Sequence, residues 1–137
     1  MKLVISNKQG KAKQVEIEDN VASSLYGIKI GDKFNGNLVN MEGYEFEVRG
    51  GSDDAGFPMR RDVQGMERKA ILATSGLGNH IKRKGMRKRK TVAGNTIAEA
   101  TAQVNLYVIK KGKEDLFAEP VTEEKKEEET TEEKKEE

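Results

Sequence analysis

Seven cationic side chains and no carboxylate lie within residues 79–92, which we call the basic stretch. The cations are Lys82, Arg83, Lys84, Arg87, Lys88, Arg89 and Lys90. The longer window between Glu67 and Glu99 contains nine Lys or Arg and no Asp or Glu. Because like charges this close together repel each other, folding them against the body is costly unless a polyanion neutralises them. The residue types therefore predict a polyanion-binding segment.

The make-up of the basic stretch favours contact with phosphates over contact with bases. Arginine holds phosphate oxygens two at a time and lysine acts as a point charge, whereas no aromatic side chain lies between the cations to stack on a base. Charge alone leaves a solvated loop, a nuclear-import signal and an anionic membrane open. The membrane is disfavoured because the stretch has no Trp, Phe or Leu to insert.

A glycine-rich loop at residues 50–61 lacks the residues of a nucleotide-binding loop. Gly51 and Gly56 have the spacing of a phosphate-binding loop, but Phe57 and Pro58 follow where that motif needs Lys and Ser/Thr. This excludes a nucleotide site. Residues 57–59, Phe-Pro-Met, instead predict an apolar plug that returns the loop to the core.

The same loop carries two aspartates and two arginines, and neither pair predicts a metal site. Asp53 and Asp54 lack the alternating carboxylates of a calcium loop, so we expect them to stabilise a turn. Arg60 and Arg61 add positive charge beside the apolar plug. We expect both arginines to extend the basic surface.

The sequence offers no catalytic or metal-binding constellation. His80 is the only histidine, there is no cysteine, and no serine has the context of an activated nucleophile. We therefore expect no enzyme activity, no catalytic residue, no bound metal and no cofactor.

The near-neutral net charge of +1 averages two regions of opposite sign. Residues 121–137 contain nine Glu and four Lys, which leaves 21 basic and 15 acidic side chains in the rest of the chain. We predict a basic body at residues 1–119 and a disordered Glu/Lys-rich tail at residues 120–137. The absence of cysteine, of a signal peptide and of an apolar run of about 20 residues predicts a soluble cytoplasmic protein.

Short alternating or apolar runs separated by glycine-rich turns predict a mainly β fold, a small barrel-like or sandwich domain with short helical segments. The predicted strands are residues 2–6, 13–18, 44–49, 69–74 and 104–109, the last one central and the first two forming a hairpin. A short helix is predicted at residues 21–26, capped by Asp19 and Asn20. The basic stretch would be a flexible arm between two strands.

Four segments occur in an order that resembles the small-subunit ribosomal protein family S6e of archaea and eukaryotes. They are the start Met-Lys-Leu, the glycine loop ending in Phe-Pro-Met at residues 50–59, the run Arg-Lys-Arg-Lys-Thr-Val-Ala-Gly at residues 87–94, and the strand at residues 105–112. The resemblance spans roughly residues 1–117. The combination of the glycine loop with the basic Thr-Val-x-Gly block is specific, although neither piece would be alone.

The resemblance implies a structural, non-catalytic constituent of the cytoplasmic small ribosomal subunit. Its partners would be ribosomal RNA and neighbouring ribosomal proteins, with no membrane and no small-molecule substrate. Matched to the family motif, Arg87, Lys88, Arg89 and Lys90 would contact RNA, as would Arg60. Charge alone adds Arg61, Lys82, Arg83 and Lys84 to the predicted RNA-binding residues.

The C-terminal region departs from the eukaryotic members of that family. Those members carry a long basic extension that ends in phosphorylated serines, whereas this chain has a short Glu/Lys tail without serine. The tail is typical of the archaeal form, and regulatory phosphorylation does not carry over. Two alternatives remain open: a DNA-binding or chromatin-type basic module, and a nucleic-acid binder that is autoinhibited by its acidic tail.

Overall fold

The computed structural model describes residues 1–112, 116 and 117, and within them the fold is mainly β. In chain order the elements are β1 (Lys2–Ser6), β2 (Ala12–Glu16), α1 (Asp19–Ser23), β3 (Lys33–Asn35), a 3₁₀ helix (Gly36–Val39), β4 (Glu45–Asp53), β5 (Lys69–Ala73), β6 (Lys88–Val92) and β7 (Thr101–Lys110). The prediction of a mainly β fold with short helical segments is confirmed. The predicted tail, residues 120–137, lies outside the described residues.

Five strands form one sheet in the order β2-β1-β7-β4-β3, and β5 and β6 form a separate two-stranded sheet. β1 runs parallel to β7, and every other neighbouring pair is antiparallel. The central position predicted for the last strand and the predicted β1–β2 hairpin are both confirmed. The large sheet is open, since its edge strands β2 and β3 do not pair with each other in the described part of the chain.

The core forms on one face of the large sheet, where the neighbouring strands β1, β7 and β4 place their apolar side chains. Alternate residues of β1, β4 and β7 are buried, as the period of a half-exposed strand requires. The fully buried members of these strands are Leu3, Ile5, Phe46, Val48, Val104 and Leu106. Met59, 2% exposed, joins the same core cluster, so the predicted plug at residues 57–59 does reach the core.

β4 is longer than the sequence predicts, because it continues through Gly50 and Gly51 to Asp53. A Cβ atom at Gly51 would lie 2.3 Å from the Gln103 carbonyl oxygen of β7. Glycine there permits a close approach between neighbouring strands, and the register shifts between Val48 and Gly50. A glycine pair that predicts a loop therefore continues a strand.

The short helix also differs from its prediction. It begins at Asp19 and ends at Ser23, and Glu18 rather than Asp19 or Asn20 occupies the N-cap position without a side-chain hydrogen bond. The predicted cap was wrong because the extended backbone ends one residue earlier. No helix in residues 1–112 is long and apolar enough to cross a membrane.

Candidate nucleic-acid interface

The second half of the basic stretch is a β-strand rather than a flexible arm. β6 pairs antiparallel with β5 in a continuous register from Lys69 opposite Val92 to Ala73 opposite Lys88. Residues 74–87 join the two strands. We call β5, β6 and this connection the ribbon. Backbone hydrogen bonds to a strand with apolar side chains offset the electrostatic repulsion between the consecutive cations of β6.

The ribbon distributes its cations over two faces. Directly opposed residues of antiparallel strands share a face, and successive residues alternate between faces. One face, the lysine face, carries Lys69, Ile71, Ala73, Lys88, Lys90 and Val92, and the other, the leucine face, carries Ala70, Leu72, Arg89 and Thr91. The run Arg87–Lys90 is continuous in sequence but not in space. A phosphate backbone lying on one face would meet Lys88 and Lys90, while Arg89 points away.

The connection between the strands is organised by Asn79, whose side chain is 3% exposed. Its Nδ2 donates to the carbonyl oxygens of Ala73 at 3.2 Å and Thr74 at 2.5 Å. Its backbone exchanges two hydrogen bonds with Gly76, of 3.0 and 3.2 Å. No donor among the described residues reaches its Oδ1. After the turn that Asn79 stabilises, the predicted RNA-binding cations of the connection are all exposed, namely Lys82, Arg83, Lys84 and Arg87.

The cations of the basic stretch have no carboxylate partner among the described residues. None of the seven forms an ion pair with another residue in the described ranges, whereas three arginines of the body do. The paired arginines are Arg49 with Glu47, Arg60 with Asp62, and Arg68 with Asp53 and Asp54. The ribbon therefore carries positive charge that the rest of the described fold leaves uncompensated.

Arg60 is a predicted RNA contact that already has a partner. Its Nε and Nη2 donate to the two carboxylate oxygens of Asp62 at 3.0 and 2.8 Å. These hydrogen bonds raise the pKa of Arg60 and lower the pKa of the Asp62 carboxyl below its usual value. An anion would have to displace Asp62 to use the guanidinium of Arg60. The neighbouring Arg61 is exposed and has no ion pair with another described residue.

The glycine loop is closed by Arg68, which was not among the predicted RNA-binding or turn residues. Its Nε donates to Asp53 at 2.5 Å, its Nη2 donates to Asp54, and its guanidinium lies 5.5 Å from the ring centre of Phe57. Asp53 also accepts a 2.8 Å hydrogen bond from the backbone of Phe57. The turn role predicted for Asp53 and Asp54 is confirmed. No sequence signal pairs Arg68 with carboxylates about fifteen residues earlier.

The described residues contain no group of three or more His, Asp or Glu side chains that could hold a metal ion. What the fold brings together is a two-faced basic ribbon, the glycine loop beside its base, and Arg60 and Arg61 on that loop. This arrangement suits binding of an extended polyanion more than binding of a small ligand.

Comparison with known proteins agrees with the family resemblance of the four sequence segments. The family model described as Ribosomal protein S6e matches residues 1–119, which include the large sheet, the glycine loop and the whole ribbon. Several archaeal proteins are similar over most of their length.

Three relatives illustrate the similarity, and each is called small ribosomal subunit protein eS6. The protein of Methanosphaera stadtmanae is 43% identical over 126 residues, covering 90% of this chain and 96% of the relative. That of Methanothermobacter thermautotrophicus is 42% identical, covering 84% and 90%. That of Methanobrevibacter smithii is 44% identical, covering 82% and 86%. The resemblance found in the sequence is confirmed, and the chain belongs to the ribosomal protein S6e family.

Proposed function

We propose that this chain is a structural, non-catalytic constituent of the small ribosomal subunit, bound to ribosomal RNA and neighbouring ribosomal proteins in the cytoplasm. The observation that carries the proposal is the ribbon, whose basic stretch has seven cations without a carboxylate partner among the described residues. The names of the relatives support assembly into the small ribosomal subunit. The uncompensated cations of the ribbon support contact with RNA.

The proposed mechanism is electrostatic and depends on the phosphate backbone. Cations that approach phosphates release condensed counterions, so binding weakens as salt rises. Aromatic residues make up only 5% of the chain, which leaves few platforms for base stacking. Discrimination would come from the shape of folded RNA, to which a two-faced ribbon can present charge in two directions. The residues proposed to contact RNA are Arg60, Arg61, Lys82, Arg83, Lys84, Arg87, Lys88, Arg89 and Lys90.

Sedimentation with small ribosomal subunits across a salt series tests this function directly. With about seven phosphates neutralised, the logarithm of the binding constant should fall with the logarithm of salt concentration at a slope of about −5 to −6. Duplex DNA serves as the competitor, and it should displace the protein less effectively than folded ribosomal RNA does. Failure to sediment with the subunit at moderate salt, or equal competition by DNA, contradicts the proposal.

The variant Asp62→Asn tests whether Arg60 contacts RNA. Removing the carboxylate releases the Arg60 guanidinium, because both of its hydrogen bonds to Asp62 lose their charged acceptor. If Arg60 then reaches one more phosphate, the salt slope should steepen by about 0.7 to 0.9. Binding to small-subunit RNA at four or more salt concentrations measures the slope.

The control for this change is the double variant Arg60→Gln with Asp62→Asn. It removes the same carboxylate but has no guanidinium to release, so its slope should not steepen. An identical slope for Asp62→Asn, the double variant and the wild type would remove Arg60 from the set of RNA contacts.

A further inference from the structure

We infer that residues 57–66, which we call the anchor loop, hold both ends of the ribbon and set its direction relative to the large sheet before RNA arrives. The part of the inference that is tested by RNA binding rests on the proposed function. Its key contact joins Pro58 to Gly78, so these two are positioning residues that act through the cations of the ribbon.

The anchor loop is itself fixed to the large sheet. The backbone N–H of Met59 donates to the Gly51 carbonyl of β4 at 2.9 Å, and the Met59 side chain is buried in the main core. Ser52 forms an isolated β-bridge with Pro58. Residues that touch the anchor loop are therefore tied to the body of the protein.

At one end of the ribbon, Gly78 packs against the ring of Pro58. A Cβ atom at Gly78 would lie 2.8 Å from the Pro58 Cγ, closer than real Cβ contacts come. Gly78 also has a positive φ of 70°, which favours glycine. Gly78 lies within the turn that Gly76 and Asn79 close, directly before the basic stretch, so the contact fixes the start of that stretch.

At the other end, the chain that leaves β6 pairs with the anchor loop. The Ala93 N–H donates to the Pro58 carbonyl at 3.0 Å, and the Arg60 N–H donates to the Ala93 carbonyl at 3.2 Å. Two more backbone bonds, from Asn95 to Val63 at 2.8 Å and from Thr96 to Gly65 at 3.3 Å, continue the pairing. The side chain of Asn95 reinforces it by bonding Arg61, Gln64 and Gly65.

Pro58 is common to both ends, through its ring on one side and its carbonyl on the other. A ribbon held at both ends keeps its lysine and leucine faces at set directions and loses less conformational freedom on binding. Folded RNA, which is recognised by shape, requires that direction, whereas a flexible polyanion adapts to any direction. Loss of the contact should therefore reduce affinity for ribosomal RNA selectively.

The variant Gly78→Ala tests the contact, and Gly85→Ala is its matched control. Both glycines have a positive φ, 70° and 83°, but a Cβ atom at Gly85 would meet nothing within 4 Å. Neither change alters charge. We expect Gly78→Ala to bind small-subunit RNA about tenfold more weakly and poly(U) unchanged, and Gly85→Ala to bind both nearly as the wild type does.

A rescue variant separates the contact from backbone strain. In the double variant Pro58→Ala with Gly78→Ala the ring that the new methyl group would strike is gone. Its affinity for small-subunit RNA should exceed that of Gly78→Ala. Pro58→Ala alone introduces no clash, and it provides a second route if Gly78→Ala folds poorly.

A spectroscopic distance tests the same inference without RNA. The chain has no cysteine, so Lys8→Cys on the first hairpin and Leu72→Cys on the ribbon accept spin labels at two defined sites. Both side chains are exposed, Leu72 to 60%. We expect one narrow distance distribution in the wild type and in Gly85→Ala, and a broader or shifted one in Gly78→Ala and Pro58→Ala.

The outcomes of the two proposals are distinguishable. If the wild type does not bind ribosomal RNA, the proposed function fails, while the label distances still test the anchor loop. Unchanged distances in Gly78→Ala and Pro58→Ala overturn the anchor-loop inference even if RNA binding is as proposed. Equal losses of RNA and poly(U) affinity in Gly78→Ala, with a lowered melting temperature, indicate general damage and also overturn it.

Discussion

Replacing Arg87, Lys88, Arg89 and Lys90 together with glutamine is expected to abolish stable incorporation into the small subunit at moderate salt. Four of about seven phosphate contacts would be lost, so the salt slope should fall from about −5 to −6 to about −2 to −3. The melting temperature should change little, because these side chains form no ion pair with another described residue and β6 is held by backbone bonds. Sedimentation with subunits and thermal unfolding measure the two effects.

The matched control removes four positive charges from the body instead. Lys8, Lys11, Lys13 and Lys33 are exposed and lie outside the ribbon. Their replacement with glutamine lowers the net charge by the same amount. If both quadruple variants lose the same affinity, net charge rather than the ribbon governs binding, and the assignment of the ribbon as the contact surface is wrong.

The two faces of the ribbon make this experiment more specific. Lys88→Gln with Lys90→Gln neutralises two cations of the lysine face, whereas Arg89→Gln affects only the leucine face. If RNA lies on the lysine face alone, the first variant should account for most of the loss and the second for little. Comparable losses per charge would indicate RNA on both sides of the ribbon.

A large loss of stability is expected from Gly51→Ala. The added methyl group would lie 2.3 Å from the Gln103 carbonyl oxygen and 3.0 Å from the Met59 sulfur. The first neighbour is backbone of the central strand, which cannot move without disturbing the β4–β7 pairing. We expect a loss of about 3 kcal/mol or more, at the upper end of the cost of overpacking a core. For a domain of this size that corresponds to a fall in melting temperature of about 10 °C.

Gly50→Ala is the control, because Gly50 lies in the same strand and a Cβ atom there would meet nothing within 4 Å. Its melting temperature should remain close to that of the wild type. Calorimetric or circular-dichroism melting of the two variants under identical buffer conditions decides the matter. Similar melting temperatures for both would show that β4 can move away from β7 at this point at little cost.

Short alternating or apolar runs were enough to predict the strands that form the core. β1 agrees with its predicted bounds, and Phe46 and Val48 are buried as the alternation around them predicts. The continuation of β4 through two glycines could not be predicted, because it depends on the close approach of β7 from a distant part of the chain. β6 was not predicted, because its consecutive cations indicate mutual repulsion rather than a strand. The apolar side chains of the pair belong to its partner β5.

The candidate site could be located by charge but not oriented. The cation cluster is evident in the sequence, yet the separation of Arg89 from Lys88 and Lys90 depends on the strand register, which a one-residue slip would invert. The pair of Arg60 and Asp62 could have been anticipated, since only one residue separates them. The contact of Pro58 with Gly78 required the folded chain.

The position of β7 has a consequence for how the protein folds as it is synthesised. β7 is the last strand of the described residues and the central strand of the large sheet, where it joins β1 to β4. The hydroxyl of Ser6, for example, donates to the carbonyl of Leu106, a hundred residues later. The hairpins β1–β2 and β3–β4 can form early because their pairing is local, but their apolar sides stay uncovered until Lys110 has left the exit tunnel. The nascent chain thus presents its uncompensated cations before its core exists, and in an early encounter with RNA the sheet to which the anchor loop is fixed would still lack its central strand.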